Sequence, residues 1–345
     1  PGTLDAPSDA AADLLGMLAD PAWVWGQYDH QLFLNTVAGP GGDATVLRLK
    51  HPVTGVDTGR ALALTTDGNH RWCAVAPRTG TARVVAESVL NLACVGARPL
   101  ALVNCLNFGN PEHPEVMWEL SEAIDGMAEA CRAFELPVIG GNVSLYNETR
   151  GRDIDPTPVV GVLGMVDALE RRPPGRRQVP GGRLLVLGAA GGPSLAGSRW
   201  AWERGAKGGA LPALDLVAVS ALAALVQELV GDDVLQGLHD VADGGLALAM
   251  AEMVAASEVG VELTASLDHV GLFGESPDRV VVCVEADLVG AVVARAAAAG
   301  VAAREVGAAG GDRLRLGPLV DVAVADVVGA WRSRLPSAFG TAVTH

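Results

Sequence analysis

Residues 137–148, PVIGGNVSLYNE, constrain the fold more than any other segment of this chain. Apolar Pro137, Val138 and Ile139 predict a short buried strand. The paired glycines that follow predict a tight turn into a polar loop, because glycine has no Cβ to obstruct the backbone. The small polar side chains after them suit a metal-bound phosphate, which needs many donors and a few oxygen ligands. An ordinary strand-to-loop turn explains the same pattern equally well, so the rest of the chain must decide.

Length and charge exclude several classes of function. With 345 residues, 50% of them hydrophobic, the chain is globular and has room for about two domains with full cores. The net charge of -15 and pI near 4.8 argue against nucleic acid or an acidic membrane as a partner, since both require a basic face. Lys50 and Lys207 are the only lysines. An anionic substrate must therefore be met by a metal ion, arginine or backbone N–H groups.

The five cysteines predict a reducing, cytoplasmic setting. They are odd in number, lack metal-type spacing and lie mostly in apolar runs, where cysteine behaves as a small core residue. No signal segment opens the chain, and no apolar run reaches the roughly 20 residues of a membrane span. The chain begins with Pro1 instead of methionine, so we expect a piece of a longer protein.

Apolar periodicity predicts an α+β layer in the first half. Helices are expected over 10–18, after a Ser8-Asp9 cap, and over 81–96 and 114–134, with Met117 and Ile124 among the inward residues of the last one. Strands are expected over 45–50, 61–66, 99–106 and 157–166.

Residues 169–182, LERRPPGRRQVPGG, predict a solvated linker because arginine, proline and glycine follow one another without periodicity. An α/β domain follows it. Strands are expected over 183–187, 261–267, 279–284 and in short pieces over 303–322, and helices over 216–230, 245–256 and 288–299. The glycine-rich loop 188–197 matches neither the dinucleotide nor the P-loop spacing.

Two polar stretches of the first half are further candidate sites. Tyr28, Asp29 and His30 precede a strand-like stretch, and the ordinary alternative for His30 is a partly buried histidine bonded to a carboxylate. Asp67-Gly68-Asn69 follows a strand, where such a triplet is most often a turn. Its functional interpretation is that Asp67 holds Mg²⁺.

A third polar stretch lies in the second half. His239, Asp240 and Asp243 lead into Gly-Gly and the start of a helix, an arrangement that suits an anion or metal ion. The structural alternative is that Asp243 caps this helix.

Seven motifs together resemble one family, the C-terminal half of phosphoribosylformylglycinamidine synthase, over roughly residues 13–335. Their joint order is far more specific than any one glycine-rich loop. The motifs are YDHQLFLNTV, TTDGNHRW, NCLNFGNPEHPEVMW, GGNVSLYNE, PTPVVGVLG, HDVADGGLA and FGESPDRVVV.

The resemblance implies a fold like that of aminoimidazole ribonucleotide synthetase, with an N-terminal α+β subdomain and a C-terminal α/β subdomain. We therefore expect a short helix or linker over 1–20, subdomains over 21–168 and 183–345, and the linker over 169–182.

The implied activity is that of an ATP-dependent C–N ligase of purine biosynthesis. Such an enzyme phosphorylates formylglycinamide ribonucleotide with ATP, and ammonia derived from glutamine then displaces phosphate to give the amidine. Mg²⁺ and ATP are the implied cofactors. The implied partners are the N-terminal half of the same synthetase, a glutaminase subunit and a small bridging subunit, with no nucleic acid or membrane.

Four residues carry the implied main site. Asn104 and Gly141 correspond to ATP contacts, Asn142 to a Mg²⁺ ligand and Ser144 to a substrate contact. An aspartate is expected where Asn104 stands, so the charge of that contact differs. A glutamate is likewise expected where Arg199 stands.

The same resemblance assigns other residues to an auxiliary site that holds a structural nucleotide in some relatives. Asp67 and the stretch Tyr28-Asp29-His30 belong to it, and the carboxylates Asp240 and Asp243 are weaker candidates.

The resemblance implies that the family's catalytic histidine and ATP-binding lysine lie in the N-terminal half of the synthetase, in an arrangement that includes Ser-His-Asn-His. Residues 66–70, TDGNH, stand in its place here. We therefore expect no catalytic residue in this half and no activity from it alone. A self-contained homodimeric kinase or cyclo-ligase of the superfamily, or a non-catalytic nucleotide-binding scaffold, are the alternatives.

Overall fold

The computed structural model describes residues 4–188 and 192–340, which form a six-stranded sheet, a seven-stranded sheet and a two-stranded hairpin. None of the helices within these ranges combines the length and apolarity that a bilayer crossing requires.

The six-stranded sheet lies in the first subdomain, residues 22–166, in the order β1-β2-β3-β8-β4-β5. β4 and β5 pair in parallel, and the other described neighbours are antiparallel. The elements are α2 Ala22–Trp25, a 3-10 helix Leu32–Leu34, β1 Thr36–Ala38, β2 Thr45–Lys50, β3 Asp57–Gly68, α3 His70–Val75, α4 Pro77–Cys94, β4 Arg98–Asn107, α5 Pro114–Ala133, β5 Val138–Ser144, β6 Glu148–Thr149, β7 Arg152–Asp153 and β8 Thr157–Val166.

The predicted helices of this subdomain are present, and each of the two long ones begins with a proline in its first turn. Pro77 starts α4 and Pro114 starts α5. Proline fits there because the first N–H groups of a helix have no intrahelical partner. Met117 and Ile124 are exposed, however, so the prediction that they point inward is wrong. The reason is that α5 packs chiefly on α4 and leaves the edge strand β5 largely uncovered.

Residues 137–148 differ from their prediction in two ways. Strand β5 continues through the two glycines to Ser144, and its side chains are exposed from Val138 to Val143 instead of buried. The exposure follows because β5 is the edge strand of the sheet and α5 packs chiefly on α4. Glycine is needed at position 141 because a Cβ there would lie 2.1 Å from Asn104 Oδ1 on the neighbouring strand. The reason is therefore this close contact and not a turn of the chain.

The predicted turn at residues 67–69 is also wrong. Strand β3 runs through Asp67 to Gly68, and Asn69 then caps α3 by accepting a hydrogen bond from the Trp72 N–H. Asparagine is a preferred N-cap because its side-chain oxygen satisfies a free backbone N–H of the first turn.

The seven-stranded sheet lies in the second subdomain, residues 183–340, in the order β10-β12-β9-β13-β11-β14-β15. Apart from the parallel pair of β11 with β14, its described neighbours are antiparallel. The elements are β9 Arg183–Gly188, α6 Arg199–Glu203, α7 Leu216–Gly231, β10 Leu235–Asp240, α8 Gly245–Ser257, β11 Val261–Leu263, α9 His269–Phe273, β12 Arg279–Val284, α10 Val289–Ala298, β13 Ala303–Ala309, β14 Arg313–Leu316, β15 Val320–Ala323 and α11 Val324–Phe339.

The described residues form two hydrophobic cores, and one of them joins the two subdomains. One lies between them, where α4 packs against α7, and includes buried Val85 and Leu225. The other covers the opposite face of the second sheet and includes Leu14 and Met17 of the N-terminal helix α1, Ala10–Met17, which Asp9 caps as predicted. Helix α4 also packs on β3 and β8 of the first sheet, and Leu64 and Val103 on the opposite face of this sheet are exposed.

Candidate functional site

The four residues of the expected main site lie on the adjacent strands β4 and β5. Asn104 is paired with Gly141, and Asn104 Nδ2 lies 3.5 Å from Met127 Sδ of α5, so this pair faces the helices. Asn142 follows on the opposite face of the strand, because successive strand residues alternate in direction. Ser144 donates a hydrogen bond of 3.2 Å to Asn147 Oδ1. The structure thus brings the four residues together around one strand edge, on two faces of the sheet.

Asn142 is well placed to serve as an oxygen ligand. Its side chain is exposed and, among the described residues, has no hydrogen-bond partner. A neutral amide oxygen is an acceptable ligand for Mg²⁺, but a single one does not make a site. A Mg²⁺ ion bound here would need further oxygen ligands beyond Asn142.

Apolar side chains surround this edge. Leu64 and Val103 are 43% and 44% exposed, and Val138, Ile139 and Val143 of the edge strand are 49%, 65% and 55% exposed. A long, apolar edge strand with free backbone N–H and C=O groups is a template for association, and soluble chains normally cover or charge such edges. The combination predicts that another polypeptide covers this surface.

A rigid loop follows β5 and fixes Ser144. Asn147 Nδ2 donates to the carbonyl oxygens of Phe108 and Ser144 at 3.0 and 2.9 Å. Asp153 accepts from the Asn110 N–H and pairs with His113, both at 2.7 Å. The Asn110 N–H and then His113 lower the pKa of Asp153, so this carboxylate stays ionised.

Asp67 lies in a buried polar cluster between the subdomains. Its carboxylate accepts hydrogen bonds from Ser88 at 2.6 Å and from Thr65 and Asn91 at 2.8 Å. Burial nevertheless raises the pKa of Asp67 to about 6, and Asp240 adds to the effect. Two of the expected auxiliary residues, Asp67 and Asp240, are thus brought close enough to interact.

The sequence reasoning missed three members of this cluster on α4, namely Ser88, which donates to Asp67, Asn91 and Glu87. Asn91 binds Asp67 directly, and the pKa of Glu87 is raised well above its ordinary value, by burial first and then by Asp67. The signal was available, because polar residues four apart on an otherwise apolar helix face lie one above the other.

Asp243 does not cap helix α8, so the structural alternative for this residue is wrong. The Gly244 N–H and the Arg199 N–H both donate to Glu275 Oε1, at 2.8 and 2.7 Å. Asp243 instead pairs with Arg71 and, at 3.2 Å, with Arg199. Arg199, where a glutamate was expected, thus neutralises Asp243.

Among the described residues, the stretch Tyr28-Asp29-His30 makes no hydrogen bond or ion pair to Asp67 or Asp240. Tyr28 and Asp29 are exposed, and His30 Nδ1 lies 3.3 Å from the Tyr28 carbonyl oxygen instead of a carboxylate. His30 packs edge-on against Trp25 and lines a cavity of about 470 Å³. Asp43 forms part of the same wall.

Two family models match the chain in sequence. Residues 41–166 match the N-terminal domain of AIR synthase related protein, and residues 179–317 match the C-terminal domain of AIR synthase related protein.

Curated relatives at about 40% identity share one name, phosphoribosylformylglycinamidine synthase subunit PurL. The protein from Moorella thermoacetica is 42% identical over 347 residues, covering 96% of this chain and 46% of the relative. The protein from Thermomicrobium roseum is 41% identical over 344 residues, covering 95% and 46%. The chain therefore spans about half the length of the curated relatives it matches.

Solved structures with this fold include the same subunit from Thermotoga maritima. PurL complexed with FGAR gives a TM-score of 0.67 at 18% identity and covers 93% of this chain and 54% of that one. PurLQS gives 0.59 at 24%, covering 85% and 41%. A chain of the HypE–HypF complex gives 0.59 at 18%, covering 82% and 92%. At these identities the likeness establishes the fold alone.

Proposed function

The chain belongs to the AIR synthase related protein family, with both family domains in order, and we propose that it acts as the C-terminal half of a phosphoribosylformylglycinamidine synthase. In the proposed reaction the assembled enzyme converts formylglycinamide ribonucleotide and ammonia to the amidine, with ATP consumed to ADP and phosphate. The names of the relatives at about 40% identity support this choice within the family.

The observation that carries the proposal is the open edge of β5. Asn142 and Ser144 stand on a strand whose outer edge and apolar surroundings are uncovered, so the site is incomplete in this chain. A second polypeptide of related fold would cover the apolar surface and face the polar groups across a seam. In the proposal, this polypeptide is the N-terminal half of the synthetase.

Each half supplies part of the proposed site. Asn104 and Gly141 contact ATP, Ser144 contacts the ribonucleotide and Asn142 offers its amide oxygen to Mg²⁺. When bound, Mg²⁺ would neutralise phosphate charge during phosphoryl transfer. The catalytic histidine and the phosphate-binding lysine belong to the other half, since residues 66–70 hold no equivalent.

The nitrogen source and its carriers are also part of the proposal. Ammonia would come from a separate glutaminase subunit, with a small bridging subunit completing the assembly. The fold shared with the PurLQS structure of Thermotoga maritima is consistent with this arrangement. We place the auxiliary nucleotide of the family at the Asp67 cluster, with Asp240 beside it.

A homodimer is the second candidate, because the free edge of β5 would also pair with a copy of itself. A chain of the HypE–HypF complex supports a self-contained unit of this length, since 92% of that chain is covered by this one. In that case a self-contained ATP-dependent enzyme would assemble without another half.

A complementation assay decides between the two. The purified chain, the N-terminal half of the Moorella thermoacetica relative, and an equimolar mixture are each given formylglycinamide ribonucleotide, ATP, Mg²⁺ and ammonium. We expect ADP and amidine from the mixture alone. Turnover of the ribonucleotide by this chain alone would contradict the proposal. Sedimentation of the isolated chain as a stable dimer would favour the second candidate.

A further inference from the structure

His239 is a buried histidine that the proposed reaction does not use. It lies on β10 where this strand meets the loop between β1 and β2 of the first subdomain and helix α8 of the second. Carboxylates approach it from each of these segments: Asp43 from the loop, Asp240 from its own strand and Glu252 from the helix. Three carboxylates around one imidazole are more than a single hydrogen-bonded pair requires.

One side of the ring faces two carboxylates. His239 Nδ1 lies 2.6 Å from Asp43 Oδ1 and 3.3 Å from Asp240 Oδ1, and one ligand atom from each of the three residues falls within 4.8 Å of the others. The side chains of Asp43, His239 and Asp240 are 3%, 10% and 11% exposed. His239 Nδ1 and Asp43 Oδ1 are each other's partners at 2.6 Å. Ligand atoms this close in a buried site share either a proton or a cation, because their lone pairs would otherwise repel each other.

The other side of the ring is fully engaged. His239 Nε2 lies 2.8 Å from Glu252 Oε2, and Arg176 Nη1 donates to the same carboxylate oxygen at 2.9 Å. Arg176 also donates to the Gly41 carbonyl oxygen, next to Asp43. A histidine that donates one ring N–H to an oriented carboxylate presents the lone pair of its other nitrogen, which is the arrangement of metal-binding histidines.

We propose that Asp43, His239 and Asp240 bind a divalent transition-metal ion, Zn²⁺ in the first place, with Glu252 and Arg176 orienting the histidine. Two carboxylates and one neutral imidazole balance the charge of a divalent ion. An imidazole ligand favours Zn²⁺ over Mg²⁺, which prefers oxygen ligands throughout. The thiol of Cys94 is buried beside Asp43, and burial raises its pKa well above the ordinary value, so it stays protonated.

This site is separate from the Mg²⁺ site proposed at Asn142 on β5, and it shares Asp240 with the auxiliary nucleotide site proposed at Asp67. The bound ion would join the loop of the first subdomain to β10 and α8 of the second. Its role is therefore to fix the position of one subdomain relative to the other. The alternative occupant of the same space is a proton on Nδ1. Burial lowers the pKa of His239, but the carboxylates of Asp43, Asp240 and Glu252 raise it by more. The net result is a pKa well above the ordinary value. A proton and a metal ion therefore compete for this atom, and the experiment must separate them.

The test is metal binding by the full chain after chelator treatment. Calorimetric titration with Zn²⁺ is expected to give one ion per chain that excess Mg²⁺ does not displace, and Co²⁺ should give the visible bands of a low-symmetry site. His239→Gln and Asp43→Asn should each weaken Zn²⁺ binding at least about 100-fold. Glu252→Gln should weaken it by the 10–100-fold typical of an outer-shell carboxylate.

His113→Gln is the matched control. His113 Nδ1 lies 2.7 Å from Asp153 Oδ2 at an exposed position, so its loss should leave Zn²⁺ binding unchanged. If the buried variants fail to fold, ¹⁵N spectra of the wild-type histidines decide without them. Addition of Zn²⁺ should move the Nδ1 resonance of His239 out of the imidazolium range. Retention of an imidazolium in excess Zn²⁺, or undiminished binding by folded His239→Gln, would overturn the proposal.

Discussion

Gly141→Ala should destabilise the chain because the neighbouring strand already fills the space of a side chain. A Cβ at this position would lie 2.1 Å from Asn104 Oδ1 and 2.9 Å from the Asn104 carbonyl oxygen, where ordinary contacts begin near 3.4 Å. The Asn104 side chain can turn away only by leaving its contact with Met127. Gly140, one residue earlier in the same strand, provides the matched comparison, because its Cβ would meet only Val103 Cγ1 at 4.0 Å.

The expected cost follows from overpacking. Inserting a methyl group into filled space costs about 1–3 kcal/mol, and contact with a backbone oxygen that cannot rotate away places Gly141→Ala in the upper part of this range. Gly140→Ala should change the free energy of unfolding by less than about 0.5 kcal/mol. In the double variant Asn104→Ala/Gly141→Ala the side-chain clash disappears but the backbone contact remains, so about 1 kcal/mol should be recovered.

Urea unfolding of Gly140→Ala, Gly141→Ala, Asn104→Ala and the double variant measures these differences, with equal m-values as the check that the denatured state is unchanged. Equal stability of Gly140→Ala and Gly141→Ala would refute the view that Asn104 occupies this space. Additive costs in the double variant would refute it as well, because the two residues would then not be in contact.

Three further predictions concern the seam and the charged clusters. Val143→Glu should leave the isolated chain folded, because Val143 is exposed. It should weaken binding to the N-terminal half by roughly 3 kcal/mol, or about 100-fold, in sedimentation experiments. Unchanged affinity would show that the interface lies elsewhere. Burial first, and then Asp243, raises the pKa of Glu275 to about 7, so stability should fall as the pH rises from about 4.5 to 7, by about 3 kcal/mol. Glu275→Gln should flatten this part of the pH–stability curve measured by urea unfolding, and an unaltered slope would show that Glu275 is not the titrating group. Arg199→Glu places an acid beside half-exposed Asp243 and should cost about 1 kcal/mol, with Arg199→Gln costing less; equal thermal stability of the two would contradict the pairing.

Regular elements with one buried face could be predicted from the sequence. Helix α4 carries apolar residues at helical spacing, and strand β8 carries an alternating buried pattern along its full length. In both elements, the buried face packs against other residues of this chain. The periodicity of the residues and the burial in the structure therefore agree.

The edge of the first subdomain could not be predicted in the same way. An apolar residue that meets a core and one that meets a partner give the same periodic signal, so Met117 and Ile124 were assigned to the interior and lie exposed. The prediction of a buried strand at Val138 failed for the same reason. Whether such a position is covered depends on contacts outside the chain, and the sequence of this chain does not contain them.

Contacts between distant segments set the remaining limit. Asp243 has the spacing of a helix cap, but Glu275, 31 residues later, supplies the acceptor for the Gly244 N–H. His239 gains its partners Asp43 and Glu252 from two different elements. Spacing along the chain records neither arrangement, since both arise only when the subdomains pack.

Hydrogen exchange at β5 tests the central claim most directly, because the free edge of this strand is the surface that the N-terminal half should cover. In the isolated chain, the outward-facing amides of residues 138–144 should exchange readily. On addition of the N-terminal half, the account predicts strong protection of these amides, with little change in the second subdomain. Unchanged exchange at β5 in an assembly that turns over substrate would contradict the account.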